Sequence, residues 1–528
     1  MTTETTPKAG EWKKRESFGS ALVQILIVGA ILTGAVFLVY KRGTNKKEIA
    51  ELMKEARVAA MKGNAADLKK ALEVTEKALA KDAASPDALA FAAAMYTDLW
   101  LIHREPGADA RAREYLDKAK KADAQTDERF GAEALHLVAA GDAKGADSFV
   151  EALRQKGGSG ARLFYAQAVA LQKQGNLKLA RQSFKAAMDK QWKDVNLACA
   201  YGEAILLEGV PGAIDAFNKA TGQNPELFRG RLDLALARVQ KGERVGDAES
   251  ILKELSARES ELSVAEKARL KAVQGHILLI QEQPDQAIAL ADAALTINPD
   301  DPWAQHVKAS ALAQKKDPAA PAALDTLLNK VPSAPVFYFE GASDLQKAGM
   351  LDPALAVLAK YEAFFKNVKN QTADGKEEAY LDRDDRYYLA RGDVLRAAGK
   401  LDDAMAAYDK AIAAKNVNIT RATFAKGSLL LEKKEYDAAG QILVDITPPD
   451  GTGQLAEAYL AMGEILFTKK EWGPGCQNYA FALAKMKTTQ APREKLNEVL
   501  TDVEKKLKAA NQREIAKLWV EEAKPLIQ

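Results

Sequence analysis

The chain has 528 residues, with 75 lysines and arginines against 73 aspartates and glutamates, so its net charge is only +2. With 47% hydrophobic and 28% charged residues, it has enough apolar material for a core and too little net charge for a disordered chain. Two cysteines exclude a disulfide-based scaffold, and the even charge balance argues against a general nucleic-acid binder, which needs a basic excess.

The first predicted element after a short N-terminal tail (1–20) is an apolar helix at residues 21–40. This segment, ALVQILIVGAILTGAVFLVY, contains no charged residue, and Gln24 is its only strongly polar side chain. As a helix it would be ~30 Å long, which is the thickness of a bilayer hydrocarbon core. A signal peptide would have a shorter apolar run that ends at a small-residue cleavage site, whereas this run ends in Tyr40 and two basic residues. The sequence therefore predicts one uncleaved transmembrane anchor.

Basic residues flank both ends of this helix and leave its orientation open. Lys13, Lys14 and Arg15 precede it, and Lys41 and Arg42 follow it. The compact cluster in the tail favours an N-terminus inside the cell and export of the long C-terminal region. The alanine-rich composition and the single anchor are typical of a bacterial inner-membrane protein, which predicts a periplasmic C-terminal region. A cytoplasmic C-terminal region is the alternative.

From about residue 47 to residue 487, the chain repeats one pattern of small, aromatic and glycine positions. Each unit has a small residue in a first helix, a leucine three residues later, a glycine turn, and a second helix with alanine, aromatic and alanine positions. In one unit these positions are Gly392, Leu395, Gly399, Ala404, Tyr408 and Ala411. The second-helix anchors recur about 34 residues apart in most cases: Ala71, Ala112, Ala146, Ala180, Ala213, Ala248, Ala287, Ala323, Ala354, Ala404, Ala439 and Gly475.

This pattern resembles the tetratricopeptide repeat (TPR), a helix-turn-helix unit of ~34 residues, and about twelve units are predicted at 41–487. Small residues let the two helices of a unit approach closely, and the aromatic residue or leucine fills the gap. The resemblance implies an all-α protein, a right-handed α-solenoid of stacked hairpins. It also implies a concave inner surface lined by the first helix of each unit.

Two regions depart from the repeat. Residues 367–385 are charged and have no apolar period, so they are predicted to form a long exposed loop. Its aspartates Asp382, Asp384 and Asp385 suit a solvated loop better than a calcium site, because the glycine and distal glutamate of a calcium hand are missing. Residues 488–528 are predicted to form capping helices, which the ends of a solenoid need.

The sequence contains no motif that indicates catalysis. It lacks the patterns G-x-x-x-x-G-K-[ST], H-E-x-x-H and G-x-S-x-G. The two cysteines, Cys199 and Cys476, lie in different repeats, which predicts small core residues and no mutual disulfide. The four histidines are far apart in sequence and are predicted to be helix-surface or core residues. We therefore expect a protein without enzymatic activity, cofactor or metal ion.

Function is then predicted to lie on the inner surface, at the groove positions that the TPR resemblance implies. Arginines and aromatic residues there suit an extended peptide or an amphipathic helix of a partner protein. Ordinary helix packing and solvated arginines are the alternative. The candidate partner-binding residues are Arg162, Tyr165, Arg269, Phe339, Arg386, Leu389, Arg421, Phe424 and Phe467.

The predicted function is a membrane-anchored protein-interaction scaffold that recruits or organises partner proteins of a cell-envelope complex. A cytoplasm-facing adaptor or receptor for client polypeptides is the alternative. Nucleic acid is not an expected partner, and the sequence leaves the oligomeric state open.

Overall fold

A computed structural model describes residues 18–191, 193–371 and 376–527, so most of the N-terminal tail lies outside the described residues. The described residues form 26 α-helices and one antiparallel pair of short strands. The helices and strands are α1 (Phe18–Ala60), α2 (Ala65–Lys81), α3 (Pro86–Leu101), α4 (Ala108–Lys121), α5 (Asp127–Ala139), α6 (Ala143–Gln155), α7 (Ala161–Lys173), α8 (Leu177–Lys190), α9 (Val195–Glu208), α10 (Ala213–Gln223), α11 (Phe228–Lys241), α12 (Val245–Ala257), α13 (Val264–Ile280), α14 (Pro284–Ile297), α15 (Pro302–Gln314), α16 (Ala320–Lys330), α17 (Pro335–Lys347), α18 (Leu351–Phe365), β1 (Lys369–Gln371), β2 (Glu377–Ala379), α19 (Asp385–Ala397), α20 (Leu401–Ala413), α21 (Ile419–Glu432), α22 (Tyr436–Leu443), α23 (Ala456–Thr468), α24 (Trp472–Thr488), α25 (Arg493–Ala509) and α26 (Arg513–Ile527).

Consecutive helices pair into hairpins along the whole array. In the described part of the chain, α1–α24 make twelve hairpins, and α25 with α26 makes one more. The odd-numbered helices also contact each other from one hairpin to the next, as α3 does with α5 and α13 with α15. The odd-numbered helices are here called the inner helices and the even-numbered ones the outer helices, and the inner helices from α9 to α21 contact one another in an unbroken series. The predicted repeat array of helical hairpins is therefore confirmed.

Steric fit explains why the first helix of a unit has a small residue at the position where it crosses the second helix. A Cβ atom on Gly392 would lie 2.4 Å from the Tyr408 ring, and one on Gly202 would lie 2.6 Å from the Phe217 ring. Both distances are far below van der Waals contact, so only glycine allows the two helices to approach with the aromatic residue between them. The anchor alanine Ala404 of the second helix is fully buried at the same crossing.

One second-helix anchor lies three residues from its predicted position. Ala323 is only partly buried in α16, whereas Ala320 is 1% exposed. Counting from Ala287 to Ala320 and then to Ala354 makes both steps close to the ~34-residue period of the repeat. Because the first five residues of α16 are all alanine, proline or leucine, the sequence alone does not distinguish the two alanines.

The predicted anchor segment belongs to a much longer helix. α1 runs without a break from Phe18 through 21–40 to Ala60, where it packs as the first helix of the first hairpin. In the described part of the chain, no helix combines the length and the apolar character needed to cross a membrane. The large apolar side chains that are described within 21–40 are all more than half exposed: Val23, Ile25, Leu26, Ile27, Val28, Ile31 and Leu32.

Residues 367–385 differ from the predicted exposed loop, although 372–375 lie outside the described residues. The short strands β1 and β2 pair, and a 3₁₀ turn at Tyr380–Arg383 leads into α19. Asp384 and Asp385 are buried, which corrects their interpretation as solvated residues. Asp384 accepts a hydrogen bond from Tyr361, and Asp385 accepts one from the backbone nitrogen of Asn418 at 2.6 Å. The two carboxylates are buried because each fastens the segment to a neighbouring helix.

The array coils tightly enough to contact itself. Asn64 at the start of α2 donates to the carbonyl of Glu226 at 3.0 Å and accepts from the backbone nitrogen of Phe228 at 3.1 Å. Further along, the backbone nitrogen of Ala265 donates to the carbonyl of His103 at 3.1 Å. Segments separated by about 160 residues therefore lie side by side, and the inner helices α9 and α17 contact each other across the coil.

The array ends in a separate apolar cluster. α25 and α26 cover Phe467, Tyr479 and Leu483 of the preceding hairpin, with Trp519 at the centre of the added layer. The indole nitrogen of Trp519 donates to the carbonyl of Leu500 at 3.0 Å, which satisfies its only donor.

Candidate functional site

A row of alternating charges follows the buried sides of the inner helices. Arg229 of α11 donates to Glu203 of α9 at 2.6 Å, and Arg269 of α13 donates to Glu203 at 3.5 Å, to Asp301 at 3.4 Å, and to Asp233. Burial raises the pKa of Asp233 to about 6, even though Arg269 opposes this effect. Burial also acts on Glu203, but Arg229 and Arg269 outweigh it and lower its pKa. The row therefore holds the inner helices in register with paired charges.

The row leads to a cavity at the N-terminal end of the array. This cavity, here called the N-terminal pocket, has a volume of about 260 Å³. It is lined by residues of α1, α3, α5, α7 and α9, by Leu68 of α2, and by the segments before α7 and α9. Apolar walls come from Phe91, Met95 and Tyr165, among others. The pocket is smaller than the ~300–1,000 Å³ of sites for drug-sized ligands, so it suits a side chain or a small group.

Two arginines of the N-terminal pocket are already paired within the chain. Arg162 donates two hydrogen bonds to Asp98, both of 2.7 Å, which is the bidentate geometry of a guanidinium and a carboxylate. Arg57 of α1 donates to Asp87 at 2.5 Å and to Glu128 at 3.2 Å. The guanidinium groups also lie over aromatic rings of the walls, Arg57 over Phe91 and Arg162 over Tyr165.

Two further carboxylates of the pocket have no such partner. In the described part of the chain, no lysine or arginine lies within salt-bridge distance of Asp127 or Asp194. Burial and then the nearby Glu128 raise the pKa of Asp127. Burial and then Asp98 raise the pKa of Asp194 to about 6. The pocket therefore has an excess of negative charge.

Two polar atoms of the pocket lining are buried without a hydrogen-bond partner in the described structure: Arg162 Nε and Asn196 Oδ1. Asn196 follows Asp194 at the start of α9, where Asp194 accepts from the Asn196 backbone nitrogen at 3.0 Å and so caps the helix. Gly160 allows Asp127 to reach the pocket, since a Cβ atom there would lie 1.6 Å from the Asp127 carboxylate.

Three of the predicted partner-binding residues belong to this inner surface. Arg162 and Tyr165, one helical turn apart on α7, both line the N-terminal pocket. Burial and then Asp98 raise the pKa of Tyr165 to about 12, so its hydroxyl remains protonated at neutral pH. Arg269 lies in the charged row and is 14% exposed, so it is less accessible than a groove residue would be.

Phe339 and Arg386 come together at a second place. The Arg386 guanidinium lies 5.2 Å from the centre of the Phe339 ring and donates to Asp384 at 2.8 Å, to the Tyr380 hydroxyl at 3.2 Å, and to the carbonyl of Glu208 on α9. Arg386 thus joins the segment before α19 to the inner helix α9, 178 residues away in sequence.

The four remaining predicted residues are scattered. Leu389 and Phe424 pack, partly buried, between neighbouring hairpins. Phe467 is buried in the terminal cluster, with its ring 5.2 Å from those of Trp472 and Tyr479. Arg421 is exposed on α21. The structure therefore brings the nine residues together only as two pairs.

Sequence reasoning missed the carboxylates of the inner surface. Asp98 and Asp233 each interrupt an apolar run of a first helix, in TDLWL and RLDLALA. A charge inside such a run indicates a buried pair or a ligand site, because an unpaired buried charge is costly. That signal was available, but the partners Arg162 and Arg269 lie 64 and 36 residues away, so only the tertiary structure identifies the pairs.

The described residues contain no group of three or more His, Cys, Asp or Glu side chains arranged to hold a metal ion. Cys199 and Cys476 are both free thiols in the structure, the first buried and the second half-buried. His103, His276 and His306 are buried, and desolvation lowers the pKa of each, that of His103 to about 3.

Comparison with known proteins supports the repeat assignment in one segment. The family profile described as tetratricopeptide repeat matches residues 385–418, which contain α19 and α20. No curated protein matches the chain. Among solved structures, an APC/C hetero-tetramer Cut9-Hcn1 chain is similar, with a TM-score of 0.36, 16% identity, and coverage of 84% of this chain and 95% of that one. A human IFIT1 dimer with PPP-AAAA has a TM-score of 0.42, 14% identity, and coverage of 76% and 94%.

These two structural likenesses are distant and add nothing about what the chain binds. The matched repeat and the hairpin geometry agree with each other, since the segment holds the glycine, tyrosine and alanine positions that pack α19 against α20. The chain carries a tetratricopeptide repeat at residues 385–418 within an array of helical hairpins.

Proposed function

We propose that this chain is a protein-interaction scaffold anchored in a bacterial inner membrane by residues 21–40. On this proposal, the array lies in the periplasm, and its inner surface recruits partner proteins of a cell-envelope complex. Its activity is recruitment, without catalysis, cofactor or nucleic acid.

The anchor is supported by two features of α1, its exposed apolar side chains and its continuity with the first hairpin. Apolar side chains within 21–40 are more than half exposed, which is costly in water at ~25 cal/mol per Å² of apolar surface and favourable in lipid. The same helix continues to Ala60 and lines the N-terminal pocket through Arg57. An anchor and an inner surface on one helix would hold that surface at a fixed distance from the bilayer.

The recruiting surface is supported by the N-terminal pocket. Its charged and apolar walls come mainly from five inner helices, so a partner segment that entered it would contact several repeats at once. Recognition of an extended or helical segment in a groove is a common mode of peptide binding.

Orientation is tested by fusing alkaline phosphatase to the C-terminus, because this enzyme is active only after export. We expect activity from the full chain and none from a fusion that lacks residues 21–40. An inactive full-length fusion that is present in the membrane fraction would support the cytoplasm-facing adaptor or receptor for client polypeptides instead.

Partner recruitment is tested by photocrosslinking in intact cells. A photoreactive residue replaces Gln191 at the pocket, and the control replaces Asn218, which is exposed on the outer helix α10. We expect protein adducts at Gln191 and not at Asn218. Equal or absent labelling at the two positions would contradict recruitment through the pocket.

A further inference from the structure

The N-terminal pocket contains more carboxylates than cationic groups. Its lining and the adjoining Asp87 supply five carboxylates, and only two guanidinium groups, those of Arg57 and Arg162, lie among them. Both arginines already make their ion pairs with Asp87, Glu128 and Asp98. Asp127 and Asp194 therefore have no cationic side chain of the described residues within salt-bridge distance, although each accepts a backbone hydrogen bond.

The cavity also limits the kind of cation. It holds about 260 Å³, which is too little for a cofactor and enough for one long side chain. Phe91, Met95 and Leu68 offer apolar walls that would contact the methylene stem of such a side chain. Asn196 Oδ1 is an acceptor of the lining that lacks a donor.

An alkylammonium group has three N–H donors and no acceptor. Asp127 and Asp194 each accept a backbone hydrogen bond, from Gly160 and Asn196, but neither lies within salt-bridge distance of a lysine or arginine in the described part of the chain, and the Asn196 amide oxygen lacks a donor. A guanidinium group fits less well, because its planar fork prefers a bidentate carboxylate and the pocket's bidentate partner, Asp98, is already occupied by Arg162. The chemistry therefore favours a primary ammonium group on an aliphatic stem.

We propose that the N-terminal pocket binds a lysine side chain of a partner polypeptide, with Asp127 and Asp194 as the residues that recognise its ammonium group. This inference rests on the proposed function, since it names the chemistry of the segment that the inner surface recruits. The pocket would then select lysine-containing segments, and acetylation of the lysine would abolish recognition by removing the charge.

The test uses the full-length protein in detergent and a fluorescein-labelled Gly-Ser peptide with three lysines. The variants are Asp127→Asn, Asp194→Asn and both together, which keep the side-chain shape, and the Asn at 194 keeps an acceptor for the helix cap. The matched control is Asp117→Asn, an exposed carboxylate on the outer helix α4. Fluorescence anisotropy gives the Kd of each pair, and melting curves check that every variant is folded.

We expect the double variant to weaken binding of the lysine peptide at least tenfold, each single variant to weaken it severalfold, and Asp117→Asn to leave it unchanged. The same peptide with acetyl-lysine should not bind, and the arginine version should bind more weakly. Unchanged affinity in the folded double variant would overturn the proposal, as would equal binding of the acetylated peptide.

An alkylammonium group could come from a free polyamine or from a lysine of a polypeptide. A competition experiment with the polyamine spermidine separates these two sources. Binding of spermidine but not of the peptide, with the same dependence on Asp127 and Asp194, would overturn the assignment to a polypeptide. Capture of a protein at Gln191 in cells without any preference for lysine would overturn this inference and leave the proposed function standing.

Discussion

Glu340 lies on the inner helix α17, close to His306 of α15 and to Gln240 of α11. Its carboxylate is 3.3 Å from His306 Nε2, and Gln240 donates to it at 3.5 Å. Burial and then the neighbouring Asp344 raise the pKa of Glu340 to about 8. Desolvation lowers the pKa of His306, so the pair is predominantly neutral at pH 7, with the proton on the carboxyl group.

Replacing Glu340 by glutamine should stabilise the protein at high pH. A carboxyl with a raised pKa binds its proton more tightly in the folded state, so the native state loses stability as pH rises from about 4.5 to about 8. Glutamine does not ionise and avoids this loss. Because the Glu340 side chain is 37% exposed, solvent screening should limit the gain to about 1 kcal/mol.

Melting curves of the wild type and Glu340→Gln at pH 4.5 and pH 8 measure this effect. The variant should have the higher Tm at pH 8 and an equal Tm at pH 4.5. Glu73→Gln, an exposed substitution on α2, should show no such difference between the two values of pH. A constant difference for Glu340→Gln would mean that the carboxyl is charged throughout.

Gly392→Ala should destabilise the hairpin of α19 and α20. The new methyl group would lie 2.4 Å from the Tyr408 ring, and the Tyr408 hydroxyl donates to Asp393 at 2.8 Å, which restrains the ring from moving away. Overpacking of this kind costs about 1–3 kcal/mol.

The matched control is Gly222→Ala in α10, where a Cβ atom would meet nothing within 4 Å. It should stabilise its helix by about 0.5–1 kcal/mol, because alanine is the better helix former. Chemical denaturation of both variants measures the change in the free energy of unfolding, which should be a loss for Gly392→Ala and a gain for Gly222→Ala. A loss of stability in both would mean that backbone flexibility, and not the close approach, requires glycine at position 392.

At the scale of elements, α25 and α26 stabilise the last repeat by covering its apolar face. Truncation after Lys487 would expose Phe467, Tyr479 and Leu483, which are now at most 6% exposed. Because the hairpins of a solenoid depend on their neighbours, the loss should be largest in α23 and α24 and should decline along the array.

Hydrogen exchange measures this gradient. We expect faster exchange in α23 and α24 of the truncated chain and unchanged exchange in α3–α8. A single substitution should weaken the same contact less severely than truncation does. Trp519→Ala should destabilise the capping helices by about 3–5 kcal/mol, whereas Leu518→Ala, at an exposed position, should have little effect. Uniform exchange in the truncated chain would contradict the interpretation of these helices as a cap.

At the scale of the whole molecule, hydrogen bonds across the coil join segments that are far apart in sequence. Asn64 joins the start of α2 to Glu226 and Phe228 through two hydrogen bonds, and Asn224 donates to the carbonyl of Lys62 at 2.7 Å. These bonds link segments 162–164 residues apart, so they fix the pitch of the coil and not the hairpins themselves.

Asn64→Ser combined with Asn224→Ala should therefore loosen the coil without unfolding the hairpins. Serine still caps α2 but is too short to make both bonds across the coil. We expect a larger radius of gyration by small-angle scattering, faster exchange at 224–228, and unchanged helix content by circular dichroism. Asn64→Ser alone should give a smaller change, and an unchanged radius in the double variant would show that apolar contacts fix the pitch.

The sequence by itself determined the hairpin array, because steric fit at each helix crossing demands a small residue and an aromatic partner at fixed spacing. Gly392 and Tyr408 are an example, since both residues belong to the same repeat unit and their spacing is visible in the sequence. The charged residues of 367–385 are not determined by a local pattern in this way. Asp384 and Asp385 resemble a solvated loop in sequence, yet hydrogen bonds to Tyr361 and Asn418 bury them.

Only the tertiary structure decided where charges pair and which surfaces remain open. The N-terminal pocket needs residues from α1 to α9, and Arg162 pairs with Asp98 across 64 positions, because the coil brings distant hairpins together. A local repeat pattern specifies how one hairpin packs on the next. It does not specify the accumulated rotation of many hairpins, and that rotation determines which inner residues are paired and which face the pocket.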